Sequence, residues 1–211
     1  MVAVSARSRS TVAVTALVIV AVACVVEAAA DITEHVRLAY GGAIPSVIRF
    51  LPVLYYGSWL FAAVTFIRWQ YRARANLDAF GLADLRWRQG WTVTGWLVPV
   101  VNFFVPIGVL DEVDRRSEEA AGLVPPRRFV LVAWAASWTA ANLFGAVVPL
   151  TIDRTAVPGG PTIAERQANL GTDSVTYVMQ AGLAVLAAYF AILLVRRVTA
   201  HQDRVLAPAT Y

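Results

Sequence analysis

Four runs of 18 to 22 residues, at 11–30, 50–67, 129–150 and 175–195, are apolar almost without interruption. A helix rises ~1.5 Å per residue, so each run reaches across a hydrocarbon core of ~30 Å. Lipid offers the backbone no hydrogen-bond partner, so a spanning segment must be a helix or part of a closed barrel. Barrel strands alternate polar and apolar residues, and these runs do not. The chain is therefore expected to be an all-α integral membrane protein, one membrane domain over residues 1–211 with four transmembrane helices. Composition agrees. The chain is 58% hydrophobic and only 15% charged, whereas soluble domains are nearer half apolar and about a quarter charged.

A fifth stretch, WTVTGWLVPVVNFFVPIGVL at 91–110, is equally apolar but is broken by Pro99 and Pro106, with Asn102 between them. Arginine placement decides its path. If the stretch turns back to the side it came from, 14 arginines share one side of the membrane and 4 the other; if it crosses, the split is 9 to 9. Cytoplasmic loops are enriched in arginine, which favours the first arrangement. The expected topology is multi-pass in the plasma membrane with both termini cytoplasmic. A cytoplasmic re-entrant or interfacial Pro-broken helical hairpin then lies between the second and third crossings, followed by a cytoplasmic helix at 111–121.

All 18 basic residues are arginine, a pattern that GC-rich coding explains together with the abundant Ala and Val. The net charge of +4 does not point to nucleic acid. The arginines sit beside apolar runs, where they orient helices and meet anionic lipid headgroups. Cys24 is the single cysteine, so neither an internal disulfide nor a thiolate metal cluster can form. His35 and His201 make no metal-ligand spacing, and no metal or cofactor is expected. Arg7 and Arg9 precede the first apolar run and Ala28-Ala29-Ala30 resembles a cleavage site. A run this long, followed by three more, reads as an uncleaved first helix. Residues 21–24 lack the leucine of a lipoprotein box.

A proline inside a helix lacks an amide proton and crowds the carbonyl four residues earlier. For Pro99 that residue is Gly95, which is small. For Pro106 it is Asn102, whose carboxamide is expected to donate to a freed carbonyl. Asn102→Leu is accordingly expected to cost more stability than Asn142→Leu in the third crossing. Non-helical backbone at membrane depth survives when buried in protein or lining a watery cavity, so the segment is expected to pack between helices.

Before it, Arg68, Arg72 and Asn76 recur every four residues and share a helical face. They place a basic extension of the second helix beyond the bilayer surface, with Trp69 and Tyr71 in the interface belt. Lipid anchoring is the plain reading; capping of carbonyls in the broken segment by Arg68 or Arg72 is the sharper one. After it, Asp111–Arg115 and Glu112–Arg116 form i,i+4 pairs and imply a solvated helix that ends at Gly122 and Pro125-Pro126. In the loop before the last crossing, Pro158-Gly159-Gly160-Pro161 forms a turn, Thr162 and Glu165 a capping box, and Gly171 closes a short helix. Glu27, near the outer end of the first crossing, is expected to reach water.

The block from Phe66 to Ser117 resembles a bacterial membrane family known as domain of unknown function 4328. The resemblance is carried by Arg68-Trp69, Tyr71-Arg72-Ala73-Arg74 and Asn76, then Gly90-Trp91, Gly95-Trp96, Pro99-Val100-Val101-Asn102, Pro106 and Arg116-Ser117. Members often carry a basic or bulky polar residue where this chain has Val105. The resemblance implies a fold and a membrane location, not a reaction.

Three functions are weighed. A structural or interaction role in the membrane fits best, with self-association or a membrane-protein partner through the small pair Ala141 and Gly145. A small channel or transporter would use Gly95, Asn102, Pro99 and Pro106; a watery cavity reaching Asn102 favours it, and a dry packed hairpin counts against it. A lipid-acting enzyme with Arg68 or Arg72 on a headgroup ranks last. No catalytic motif is present, and only a converging group of acidic or histidine side chains near the hairpin would revive it.

Overall fold

In the computed structural model, residues 3–123, 128–151 and 162–207 are described. Among them the protein is all-α. The helices are α1 (Arg7–Ala39), α2 (Leu51–Ala79), α3 (Trp91–Leu97), α4 (Val105–Ala120), α5 (Phe129–Thr151) and α6 (Ile163–Leu206). Short 3-10 turns cover Ser46–Phe50 and Val100–Phe103. Helices α1, α5, α6 and α2 with its leading turn are long and apolar enough to cross a membrane, as expected, and α3 and α4 form a pair bent by 118°.

Helix α1 packs between α2 and α6, and α6 packs between α1 and α5. The bent pair fills the remaining side. Trp96 of α3 lies edge-on to Phe66 of α2 and to Trp134 and Trp138 of α5, so aromatic rings close the layer where α2 and α5 meet. The outward faces of the long helices carry Val18, Val22, Val53, Leu60, Val178 and Leu186, all exposed, as lipid contact requires.

Several ends differ from expectation. α1 continues to Ala39 through polar residues, and α6 starts at Ile163. The Thr162–Glu165 capping box forms with both bonds in place, but Gly171 breaks nothing. With no proline and a packed partner, one glycine costs a helix only ~1 kcal/mol. These additions pair with each other, since Gln167 Nε2 donates to the Ala39 carbonyl at 3.0 Å. The loop turn at 158–161 and the prolines at 125–126 lie outside the described residues. Gly122 does end α4, at φ +68°. Its amide meets the Glu119 carbonyl and that of Leu123 the Glu118 carbonyl, both at 3.1 Å, the glycine-capped C-terminus.

The last residues of α6 return to the start of α1. Ser5 Oγ donates to Asp203 at 2.8 Å and Arg7 pairs with Asp203 at 3.0 Å. The two ends of the described chain therefore lie at one end of the bundle, together with the C-terminal half of α2 and all of α4.

Candidate functional site

The prolines punctuate the bent pair rather than kink a helix. Pro106 sits in the first turn of α4, where a missing amide proton costs nothing. Val98 is extended and α3 has already stopped at Leu97 when Pro99 arrives, as the residue before a proline prefers. The Asn102 carboxamide donates to no carbonyl among the described residues, so the capping role expected of it is not seen, and its Oδ1 is buried without a hydrogen-bond partner. Gly95 has a different reason from the one its spacing suggested. A Cβ there would come within 2.8 Å of Val105 Cγ1, so the absence of a side chain lets α3 meet the start of α4.

The two arms are tied where they leave the bundle. The Glu112 carboxylate accepts the amides of Arg86 at 2.6 Å and Trp87 at 3.1 Å. Arg74, 4% exposed, donates from Nε to the Trp87 carbonyl at 2.8 Å. Arg116 reaches the Ala83 carbonyl at 2.8 Å. The connection between α2 and α3 is thus held by Arg74 and Arg116, neither of them the Arg68 or Arg72 expected to cap carbonyls of the broken segment. Arg68 is exposed and lines a surface hollow of about 240 Å³ with Arg9, Ile67, Tyr71 and Val93.

Helix α4 is not the solvated helix its charge alternation suggested. Glu112, Asp114, Ser117 and Glu118 are all buried. The expected Asp111–Arg115 and Glu112–Arg116 pairs do not form. Arg115 and Arg116 both turn to Glu119, Asp111 meets Arg128 at 3.5 Å, and Glu112 is taken by backbone amides, which offer it fixed donors inside the protein.

A second centre lies where α2, α4 and α6 converge. Asn76 and Gln202 are fully buried. Asn76 Nδ2 donates to Gln202 Oε1 at 2.8 Å and to the Val4 carbonyl at 3.1 Å. Gln202 Nε2 donates to the Ala73 carbonyl at 2.8 Å and to Ser117 Oγ at 3.0 Å. Trp69, expected in the interface belt, is fully buried and its indole donates to Thr199 at 3.1 Å; Tyr71 is the exposed one of the pair. Trp96 likewise donates to Gln70, at 2.9 Å.

One turn along, Asp114 and Glu118 of α4 face Arg197 and His201 of α6. Arg197 makes a two-bond ion pair with Asp114. Glu118 Oε1 lies 3.7 Å from His201 Nδ1. Burial pushes the Asp114 carboxyl up despite Arg197, and burial followed by the Asp114 charge pushes Glu118 up. Burial, then Arg197 and Arg204, pushes His201 down. A converging acidic and histidine group is therefore present beside the hairpin.

Of the expected site residues, Asn76, Trp69 and Trp96 join the buried framework, and Gly95, Pro99 and Pro106 shape the bend. Arg68 lies at the surface, Arg72 is half-buried on α2, and Asn102 is half-buried in the bend. Gln70, Glu112, Asp114, Glu118, Arg197, His201 and Gln202 were not singled out from the sequence as one group. The signal was two i,i+4 pairs, 114/118 and 197/201, whose meeting depends on which helices pack.

Elsewhere, Gly145 packs against Gln180 of α6, with 3.1 Å from its would-be Cβ to Nε2, so the Gly145 side of its small pair is used within the chain. Glu27 is partly exposed, and one of its two oxygens is buried without a hydrogen-bond partner. A second hollow, of about 300 Å³, is apolar and lined by Val22, Val25, Val26 and Val185. Neither hollow is lined by Gly95, Asn102 or the two prolines.

The chain belongs to the family described as domain of unknown function (DUF4328), whose model matches residues 46–200. The match takes in the bent pair, Asp114, Glu118 and Arg197, and stops one residue before His201. No curated protein and no solved structure matches the chain.

Proposed function

We propose that this protein is an integral plasma-membrane scaffold whose bent pair is a re-entrant hairpin, docked at the cytoplasmic end as a rigid interaction platform. The observation that carries this reading is the Glu112 bond to Arg86 and Trp87. Entrance and exit of the bent pair are held side by side, as a returning segment requires and a crossing one forbids. The 14 to 4 arginine distribution assigns that end to the cytoplasm. The two ends of the described residues lie at this end, and Arg9 and Arg68 line one hollow there, suited to anionic lipid headgroups.

The packing of the hairpin counts against permeation. Trp96 is wedged among Phe66, Trp134 and Trp138. A scaffold of this kind meets membrane-protein partners or further copies of itself.

Sidedness tests the reading. Single cysteines at Ala83, Ala120 and Ala43, in a Cys24→Ala background, are labelled in intact cells with a membrane-impermeant thiol reagent. Reaction at position 43, with 83 and 120 reacting only after lysis, is expected. Opposite accessibility of 83 and 120 makes the bent pair a broken span and overturns the proposal.

A further inference from the structure

We infer that Asp114, Glu118 and His201 form a binding site for a divalent transition-metal ion, which clamps the second arm of the bent pair to the last long helix. Each residue offers one ligand atom, and the three atoms lie within 4.8 Å of one another. This site is independent of the scaffold reading and of which way the hairpin faces.

Proximity of carboxylates alone does not make a site; two unpartnered atoms do. Glu118 is 3% exposed, yet its Oε2 is buried with no hydrogen-bond partner, and so is His201 Nδ1. A buried carboxylate oxygen left in this state is costly. The 3.7 Å between Glu118 Oε1 and His201 Nδ1 is too long for a hydrogen bond. It is close to the spacing that two ligands adopt around a shared ion, since metal–ligand bonds of ~2.0–2.2 Å set tetrahedral ligand atoms roughly 3.4 Å apart.

The donor set selects the ion. One imidazole nitrogen with two carboxylates suits Zn²⁺ or Mn²⁺; Ca²⁺ and Mg²⁺ prefer all-oxygen shells, and Cu⁺ prefers sulfur. Arg197 holds the Asp114 carboxylate through both oxygens. It therefore competes with the ion for the Asp114 charge. Asp114 and Glu118 are spaced i,i+4 on one helix and Arg197 and His201 i,i+4 on the other, so a single ion at this point joins α4 to α6.

The test uses the full-length protein in detergent, stripped with a chelator and titrated with MnCl₂ by electron paramagnetic resonance and with ZnCl₂ by calorimetry. One ion per chain is expected. Glu118→Gln and His201→Asn should each weaken binding at least ~10-fold, because each removes one of three ligands. Arg197→Gln should tighten binding, since it releases Asp114 to the ion. A buried polar network without a metal role predicts the opposite, a loss of stability with no gain in affinity. Absence of stoichiometric binding overturns the site, as does binding that Glu118→Gln and His201→Asn leave unchanged. Loss in one variant with full retention in the other also overturns it as a three-ligand centre. Should His201→Asn not fold, the near-isosteric Glu118→Gln carries the same comparison.

Discussion

The side chain of Glu112 accepts the backbone amide of Arg86 at 2.6 Å, across 26 residues of sequence. Between these two residues the chain builds α3, a 3-10 turn and the first half of α4, and then returns to its starting level. The bend therefore rests on a carboxylate that replaces the helix-terminal partners a continuous helix would have supplied. Gln70, Arg74 and Arg116 extend this pattern, each spending a side-chain group on the bent pair or on the loop that leads to it.

Glu112→Ala should destabilise the protein by about 2 kcal/mol, since hydrogen bonds to a charged group contribute ~1.5–3 kcal/mol and two amides lose their partner. Glu119→Gln, which touches only surface arginines, should cost no more than ~1 kcal/mol. Denaturation of the purified protein in a fixed detergent reads both. Equal losses would show that the Glu112 bond contributes nothing beyond surface electrostatics.

Gly95→Ala places a Cβ 2.8 Å from Val105 Cγ1, and overpacking of this kind costs ~1–3 kcal/mol. Val105→Ala removes the obstructing methyls, so the double variant should be more stable than the sum of the two single changes implies. Gly182→Ala is the control. Nothing lies within 4 Å of its would-be Cβ, and in mid-helix the change should stabilise by ~0.5–1 kcal/mol. Additive losses at 95 and 105 would place the glycine's role elsewhere.

Asn102→Leu should cost less than Asn142→Leu, the reverse of the order that helix periodicity suggested. Asn142 Nδ2 donates to the Trp138 carbonyl at 2.8 Å, a bond worth ~0.5–1.5 kcal/mol. Asn102 Oδ1 is buried with no partner, so an apolar replacement removes a desolvated group. Thermal melts of the two variants decide the order. A larger loss at 102 would mean that its carboxamide has a partner during the protein's normal life in the membrane.

Much of the architecture was legible because lipid leaves the backbone few options. The four crossings, the bend at Pro99 and Pro106, the Gly122 stop and the Thr162–Glu165 box follow from length, proline chemistry and capping. Burial was not legible on α4. Asp114 and Glu118 read as solvent charges because alternation with arginine is usually a surface pattern. Which face of α4 turns inward depends on α6, whose His201 lies 87 positions after Asp114. Trp69 misled for a related reason. Its position at the end of an apolar run suits a lipid interface, and only the packing of α6 supplies Thr199 as an internal partner.

Stability should depend on pH in opposite directions at two neighbouring glutamates. Burial raises the Glu118 carboxyl in the folded protein, so the native state binds its proton more tightly than the unfolded chain does. That contribution is fully present below the ordinary carboxylate value of ~4.3 and is lost as pH rises through the raised folded value. Glu119 is lowered, chiefly by its bond to Arg116. Its contribution is present above the ordinary value and is lost as pH falls through the lowered one. In chelator, acidification from pH 7.5 towards 4.5 should therefore raise the stability of wild type relative to Glu118→Gln and lower it relative to Glu119→Gln. Melting curves of the three proteins over that range make the comparison. Parallel shifts in all three would mean that Glu118 titrates as a solvated side chain, and that its burial against His201 does not persist in the membrane-extracted protein.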